Sequence, residues 1–308
     1  MSQLRAYAQL VRLPNVFTAV ADIALGALAA GALPRRWLPF LLLALTSACL
    51  YCAGMVWNDF FDVEQDSKER AFRPIPSGRV TRRHAMQLGN ALFGSGVGLA
   101  LLAGWALSAW REPETESRFV WTPFVIAVVL IVAILLYDGW LKRTVVGPVG
   151  MGTCRFLNVL LGLSIAGSVG VWPDVHLAAI VGIYIVGVTW FARTEARTSN
   201  QRMLTGAAAV MLAGVLLALP LPLGIQPNTG TLLYPYLLVA LGFLVGLPVA
   251  RAISTPMPAF VQTAVKRAIV CLVVLDAVLA SPFAGLWGLS LLVLLVPALY
   301  LGRWIYST

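Results

Sequence analysis

Residues 57–79, WNDFFDVEQDSKERAFRPIPSGR, crowd acids and bases into a chain that is otherwise mostly apolar. Asn58, Asp59, Asp62 and Asp66 come first, and Lys68, Arg70, Arg73 and Arg79 follow within the same short stretch. If the preceding apolar helix continues outward, spacings of three and four place the aspartates within about 60° of one face, at about 100° per residue, with Asn58 alongside. Carboxylates stacked this closely repel unless a cation bridges them. Hard oxygen donors of this kind suit Mg²⁺, which keeps several waters and takes substrate phosphates. Asn58, Asp59, Asp62 and Asp66 are therefore the expected metal ligands, and a diphosphate is the natural third partner. Two prolines and a glycine in Arg73-Pro74-Ile75-Pro76-Ser77-Gly78 make a stiff, sharply turned loop that aims Arg73 at the bridged phosphates. A merely solvated acidic helix end fits less well, because an asparagine is expensive at the end of a membrane span.

The elements that must carry this stretch are membrane helices. The chain has 308 residues, 59% of them hydrophobic and only 11% charged, with a mean hydropathy of +0.85. Soluble domains carry about 25% charged residues. Apolar runs at 15–33, 38–57, 85–108, 120–137, 149–170, 175–192, 203–221, 232–250, 265–280 and 283–301 match the roughly 17 to 25 residues a spanning helix needs. The last two are separated only by Ser281-Pro282 and read either as two spans with a tight turn or as one span plus a re-entrant or interfacial piece, so the count is nine or ten. The expected fold is an all-α, multi-pass membrane protein forming one domain over 1–308, with no soluble domain.

Most of the 22 lysines and arginines fall on the connections that share a side with the N-terminus, and only Arg35, Arg36, Arg111 and Arg118 fall on the other. The positive-inside bias places the aspartate-rich loop in the cytoplasm. The net charge of +9 thus has a topological cause and favours anionic lipid. No nucleic-acid partner is expected, because no basic segment interleaves with exposed aromatics. The first apolar run reads as a retained helix, since no small-residue cleavage site follows it. Cys49, Cys52, Cys154 and Cys271 lie inside spans and read as packing residues. Polar residues inside spans are costly and so mark function by default: Asp22, Arg155, Asn158 and Asp276. Arg155 and Asn158 share a face of the fifth span and are expected to line a cavity. Asp22 and Asp276 are expected to pair with Arg155 or cap a helix.

The aspartate-rich stretch resembles the first motif of the UbiA superfamily of intramembrane prenyltransferases, N-D-x-x-D-x-x-x-D, at Asn58, Asp59, Asp62 and Asp66, and RPIPSG is similar to the family loop. Arg12, Pro14, Asn15 and Gly26 are similar to the family's opening R-x-P-N and later glycine. Tyr137 and Lys142 resemble its Tyr–Lys element. The resemblance implies a polyprenyl diphosphate in a lipid-open central cavity of nine helices, Mg²⁺ held by two aspartate-rich motifs, and transfer of the isoprenyl group to an acceptor. Asp59, Asp62, Asp66, Arg73 and Lys142 then carry catalysis, the last two by neutralising the departing diphosphate. Asn15, Asn58, Tyr137, Arg155 and Asn158 contact substrate.

The chain departs from the family at the second motif, where D-x-x-x-D is replaced by residues 191–200, FARTEARTSN, with Glu195 as the only acid. Arg193 and Arg197 flank it and compete with a metal for its charge. Three outcomes stay open: one complete metal site suffices, Glu195 with Asn200 and water completes a weaker one, or turnover is lost. Glu195 and Arg197 are expected to touch the diphosphate or an anionic acceptor, which is not identified by the sequence. Two other functions compete with transfer: a noncatalytic binder or scaffold for prenyl diphosphates, and a cation-coupled transporter. The acids cluster at the membrane edge, whereas a transporter needs them near the midplane.

Overall fold

The structure is a computed structural model, and it describes residues 3–109, 119–193 and 199–305. Among these residues every regular element is helical. The chain opens with α1 (Gln3–Leu10), a 3-10 turn (Leu13–Asn15) and α2 (Val16–Ala29). It continues through α3 (Trp37–Phe61), α4 (Val63–Glu69), α5 (Arg82–Ser108), α6 (Thr122–Gly139), α7 (Gly147–Leu163) and α8 (Trp172–Ala192). The last four are α9 (Gln201–Leu217), α10 (Thr229–Ser254), α11 (Pro258–Ala284) and α12 (Leu295–Gly302), with a 3-10 stretch Gly285–Leu294 before α12.

Length and composition qualify 7 helices or helix stretches as spans. These are α3, α5, α6, α7 with its 3-10 extension, α8, α10, and the run from α11 to α12. The α1–α2 pair, bent by 45°, brings the number to 8 if taken as one span. Such a chain is an integral membrane protein, since each helix satisfies its own backbone where water cannot. Outward faces confirm the solvent: α10 presents Leu232, Tyr236, Val239, Phe243 and Leu247 away from the protein.

Two boundaries differ from the sequence reading. The final pair of runs does not turn at Ser281-Pro282. Helix α11 runs on through both residues and breaks at Gly285, whose φ of 61° is left-handed. Glycine alone takes that conformation without a Cβ penalty, so the stop sits there and not at the proline. The aspartate-bearing helix is also not continuous. It ends at Phe61 and restarts at Val63, with Asp62 at the junction.

Start signals are local. Thr81 accepts a hydrogen bond from the His84 amide at the head of α5, and Asn228 and Thr231 form a reciprocal capping box at the head of α10. Helices α2 and α7 meet through glycine. A Cβ on Gly26 would lie 2.4 Å from the Leu163 nitrogen, and one on Gly162 would lie 2.7 Å from the Ile23 carbonyl oxygen. This backbone-to-backbone crossing is how membrane helices associate without a hydrophobic drive between them. Deeper burial lies between α8 and α11, where the Tyr184 hydroxyl donates to the Ala268 carbonyl at 2.9 Å.

Gly26→Ala should therefore destabilise by at least about 1–3 kcal/mol, the usual cost of overpacking. Gly98→Ala, inside α5 and meeting open space, should leave the melting temperature in detergent unchanged or slightly raised. Equal melting temperatures for the two variants would refute the close crossing.

Candidate functional site

Helix α3 delivers Asn58 and Asp59 on its last turn, the break sets Asp62, and α4 carries Asp66. The loop after α4 returns Arg73 to them. Its shape is fixed by Ser77, whose amide and hydroxyl both donate to the Arg73 carbonyl, at 3.0 and 2.7 Å, and by the Val80 amide on the Pro74 carbonyl at 3.0 Å. Gly78 takes the left-handed turn at φ 73°. Arg79 clamps this loop to α1. It donates to Gln9 Oε1 at 2.8 Å and also to the Phe72 carbonyl.

The four expected metal ligands divide into two groups. Arg73 Nη1 stands between two carboxylates, 3.2 Å from Asp59 Oδ1 and 2.7 Å from Asp66 Oδ2. Arg12 Nη2 reaches the same Asp59 oxygen at 3.3 Å. On the other side, Lys142 Nζ lies 2.7 Å from Asp62 Oδ2 and 3.1 Å from Asn58 Oδ1. Arg143 approaches Asp62 at 3.8 Å. Asp59, Asp66 and Arg73 are 3%, 4% and 6% exposed, so these charges meet away from bulk water. Burial raises the Asp66 carboxyl above the ordinary carboxylate range, against the pull of Arg73. Arg12 is held by a backbone that few non-glycine residues adopt, φ 48° and ψ 51°, between α1 and the first 3-10 turn.

Oxygen donors of this kind are those a hard divalent cation takes. Arg73 Nη1 marks a point between two carboxylates where positive charge is already accommodated. Among the described residues, however, no three of His, Cys, Asp and Glu converge on one point. The break at Asp62 turns that carboxylate to Lys142, away from Asp59 and Asp66. The donor chemistry thus fits Mg²⁺, with cationic side chains in place of the bridging ion.

Of these residues Arg12, Asn58, Asp62 and Arg73 open onto a cavity of about 340 Å³, lined also by Asn15, Arg70, Tyr137 and Arg155 and, from α8 and α11, by Ile185, Val188 and Leu272. Its wall carries four arginines and one aspartate, a lining suited to an anion. A smaller apolar chamber of about 60 Å³, lined by Leu50, Gly54, Leu130, Ile134 and Cys154, shares Tyr51, Met55, Tyr137, Met151 and Arg155 with it.

Arg155 lines both chambers while Nη1 donates to Asp22 Oδ2 at 3.0 Å and Nη2 to Thr18 Oγ1 at 2.7 Å. Asn158 lines the apolar one and donates to Asp22 Oδ2 at 2.8 Å and to the Ala19 carbonyl at 2.9 Å. Asp22 therefore pairs with Arg155, one of the two roles expected of it. Asp276 is fully buried beside Asp22 and makes no direct pair with the guanidinium. Glu195 and Arg197 lie outside the described residues. Arg193 ends α8 and donates to the Thr144 carbonyl, tying α8 to the α6–α7 connection.

Sequence reasoning left Asp138 out of the site. It follows Tyr137, is 2% exposed and faces the apolar chamber. Its signal is an acid placed immediately after the apolar run 120–137, where α6 still continues to Gly139. Arg12 was carried only by the opening motif, and its reach to Asp59 depends on the left-handed backbone.

Comparison with known proteins supplies the family. The model of the UbiA prenyltransferase family matches residues 19–259. A digeranylgeranylglyceryl phosphate synthase of Saccharolobus solfataricus is 33% identical over 165 residues, 52% of this chain and 51% of that protein. The synthase of Thermococcus kodakarensis is 29% identical over 182 residues, 58% of this chain and 59% of that one. The chain thus spans about half the length of the curated relatives it matches. Among solved structures, a digeranylgeranylglyceryl phosphate synthase superposes with a TM-score of 0.64 at 21% identity, covering 92% of this chain and 99% of that one. A UbiA homologue from Archaeoglobus fulgidus bound to DMAPP and Mg²⁺ gives 0.56 at 15% identity, covering 85% and 97%. With its matched segment running from α2 to the start of α11, and with both structures sharing its helical fold, this chain belongs to the UbiA prenyltransferase family.

Proposed function

We propose that this protein is an Mg²⁺-dependent intramembrane prenyltransferase that moves an isoprenyl group from a polyprenyl diphosphate to an acceptor. The observation that carries the reading is the pair of joined chambers, one walled by arginines and one apolar. An allylic diphosphate has this polarity, with an anionic head and a hydrocarbon tail. The whole chain acts as one unit, in which nine or ten helices surround the cavity, α9 and the stretch from Gly285 to α12 spanning as well. The aspartate-rich mouth faces the cytoplasm, in keeping with the excess of lysine and arginine on that side.

Asp59 and Asp66, with Asp62 and Asn58, would hold the metal, which when bound supplies positive charge against the departing diphosphate. Arg12, Arg70 and Arg73 bind phosphate oxygens from the chamber wall with the fork geometry of guanidinium. Lys142 adds a compact charge beside Asp62 and Asn58, where the leaving group develops its own. Tyr137 and Asn15 orient the head, and Arg155 and Asn158, locked by Asp22, keep the seam between the chambers in shape. The apolar chamber shelters the allylic cation from water. Glu195 and Arg197, which lie outside the described residues, complete the proposal as contacts to the diphosphate or an anionic acceptor.

The acceptor we favour is a glyceryl phosphate lipid with a free hydroxyl. The names of the archaeal relatives and the excess of arginine on the wall support it.

Pyrophosphate release by protein in lipid, with geranylgeranyl diphosphate, Mg²⁺ and a panel of acceptors, should depend on acceptor. It should fall by about 10² or more in Asp62→Asn, the scale of losing one preorganised charge contact. Acceptor-dependent release at the parental rate in that variant would overturn the assignment of Asp62.

Arg73→Ala should leave Asp66 unpaired and Asp59 with Arg12 alone, at a cost of about 3–5 kcal/mol without metal. Because Mg²⁺ then competes with Arg12 alone and no longer with the guanidinium between the two carboxylates, it should raise the melting temperature of Arg73→Ala more than that of the parent. An equal rise in both proteins would remove the metal from that position.

A further inference from the structure

Asp138 differs from every other acid at the mouth. Asp59 is engaged by Arg12 and Arg73, Asp66 by Arg73, and Asp62 by Lys142 and Arg143. Among the described residues no side chain or backbone group hydrogen-bonds the Asp138 carboxylate and none forms an ion pair with it, although it is 2% exposed. It borders the apolar chamber next to Tyr137, which lines both chambers. Lys142, Arg12, Asp62 and Asp59 surround it at longer range and set its electrostatic environment. A buried carboxylate without a donor is costly unless a ligand supplies one. The space it borders is where the hydrocarbon of a donor would meet the polar head.

We propose that Asp138 is a catalytic residue that takes the proton from the acceptor's hydroxyl during transfer. The inference rests on the prenyltransferase reading and deepens it by naming the acceptor class, a lipid alcohol. In the step, the bond between C1 of the allylic chain and the diphosphate oxygen breaks, and its electron pair leaves with the diphosphate. A lone pair of the acceptor oxygen forms the new C–O bond, and the O–H proton passes to the Asp138 carboxylate, from which it returns to water after product release. The other acids at the mouth are committed to cations. Asp138 is the one with free lone pairs on the chamber.

The test uses the full-length protein in nanodiscs with geranylgeranyl diphosphate as donor. Geranylgeranylglyceryl phosphate and its thiol analogue serve as acceptors. Asp138→Asn should bind the donor within about twofold of the parent and lose about 10²–10³ in kcat with the alcohol, the range of general-base catalysis. It should lose far less with the thiol, which ionises by itself near pH 8.5 or so. Asp138→Glu should recover part of the alcohol rate. Parental turnover of the alcohol by Asp138→Asn, or equal losses with alcohol and thiol, would overturn the proposal. Transfer to the alcohol by the parent tests the underlying reading separately: its absence refutes both, whereas its presence with an unaffected Asp138→Asn refutes the base alone.

Discussion

The mouth of this protein is organised around keeping Asp59 and Asp66 neutralised. Asp59 and Asp66 are almost fully removed from water, and the single Arg73 nitrogen between them offsets charges that would otherwise repel at close range. That one contact explains why the loop after α4 is so heavily constrained. Its prolines, its left-handed glycine and the clamp from Arg79 to α1 all serve to return one guanidinium to one place. The same requirement explains Arg12, whose unusual backbone is retained where it brings a second cation to Asp59. Lys142 answers the same need for Asp62 from the far side of the cavity.

This arrangement also divides the labour of the chain. The charged residues of the cavity come from the segment between Arg12 and Arg155, whereas α8 and α11 contribute mainly aliphatic side chains such as Ile185, Val188 and Leu272. Charge is thus concentrated on one wall and hydrocarbon on the other. A molecule with an anionic head and an apolar tail is oriented by that contrast before any specific contact forms. The buried set of Asp22, Arg155, Asn158, Thr18 and Ser47 supports the seam between the walls with hydrogen bonds that have little competition from water.

Much of this was legible in the residues themselves. Membrane helices announce themselves through long apolar runs, and an acidic run with the spacing of Asn58, Asp59, Asp62 and Asp66 is too costly at a membrane edge to be incidental. What escaped was decided by geometry that spacing does not encode. A continuous helix would have placed the three aspartates together, but a one-residue break at Asp62 splits them between Arg73 and Lys142. Asp138 looked like the polar end of a span, and only the packing of α3, α6 and α7 places it on the chamber. Gly285, not Ser281-Pro282, ends α11, because a proline can be absorbed inside a membrane helix while a left-handed residue cannot continue one.

The glycine crossing of α2 and α7 has a mechanical side. Where backbone lies directly on backbone there is no side chain to change rotamer, so the two helices behave as a single stiff spar. That spar carries Thr18, Asp22, Arg155 and Asn158. The opposing wall is faced with aliphatic side chains of α8 and α11, Ile185, Val188 and Leu272. Arg155 and its buried partners therefore hold their spacing as one block, whatever rearrangement the aliphatic wall undergoes.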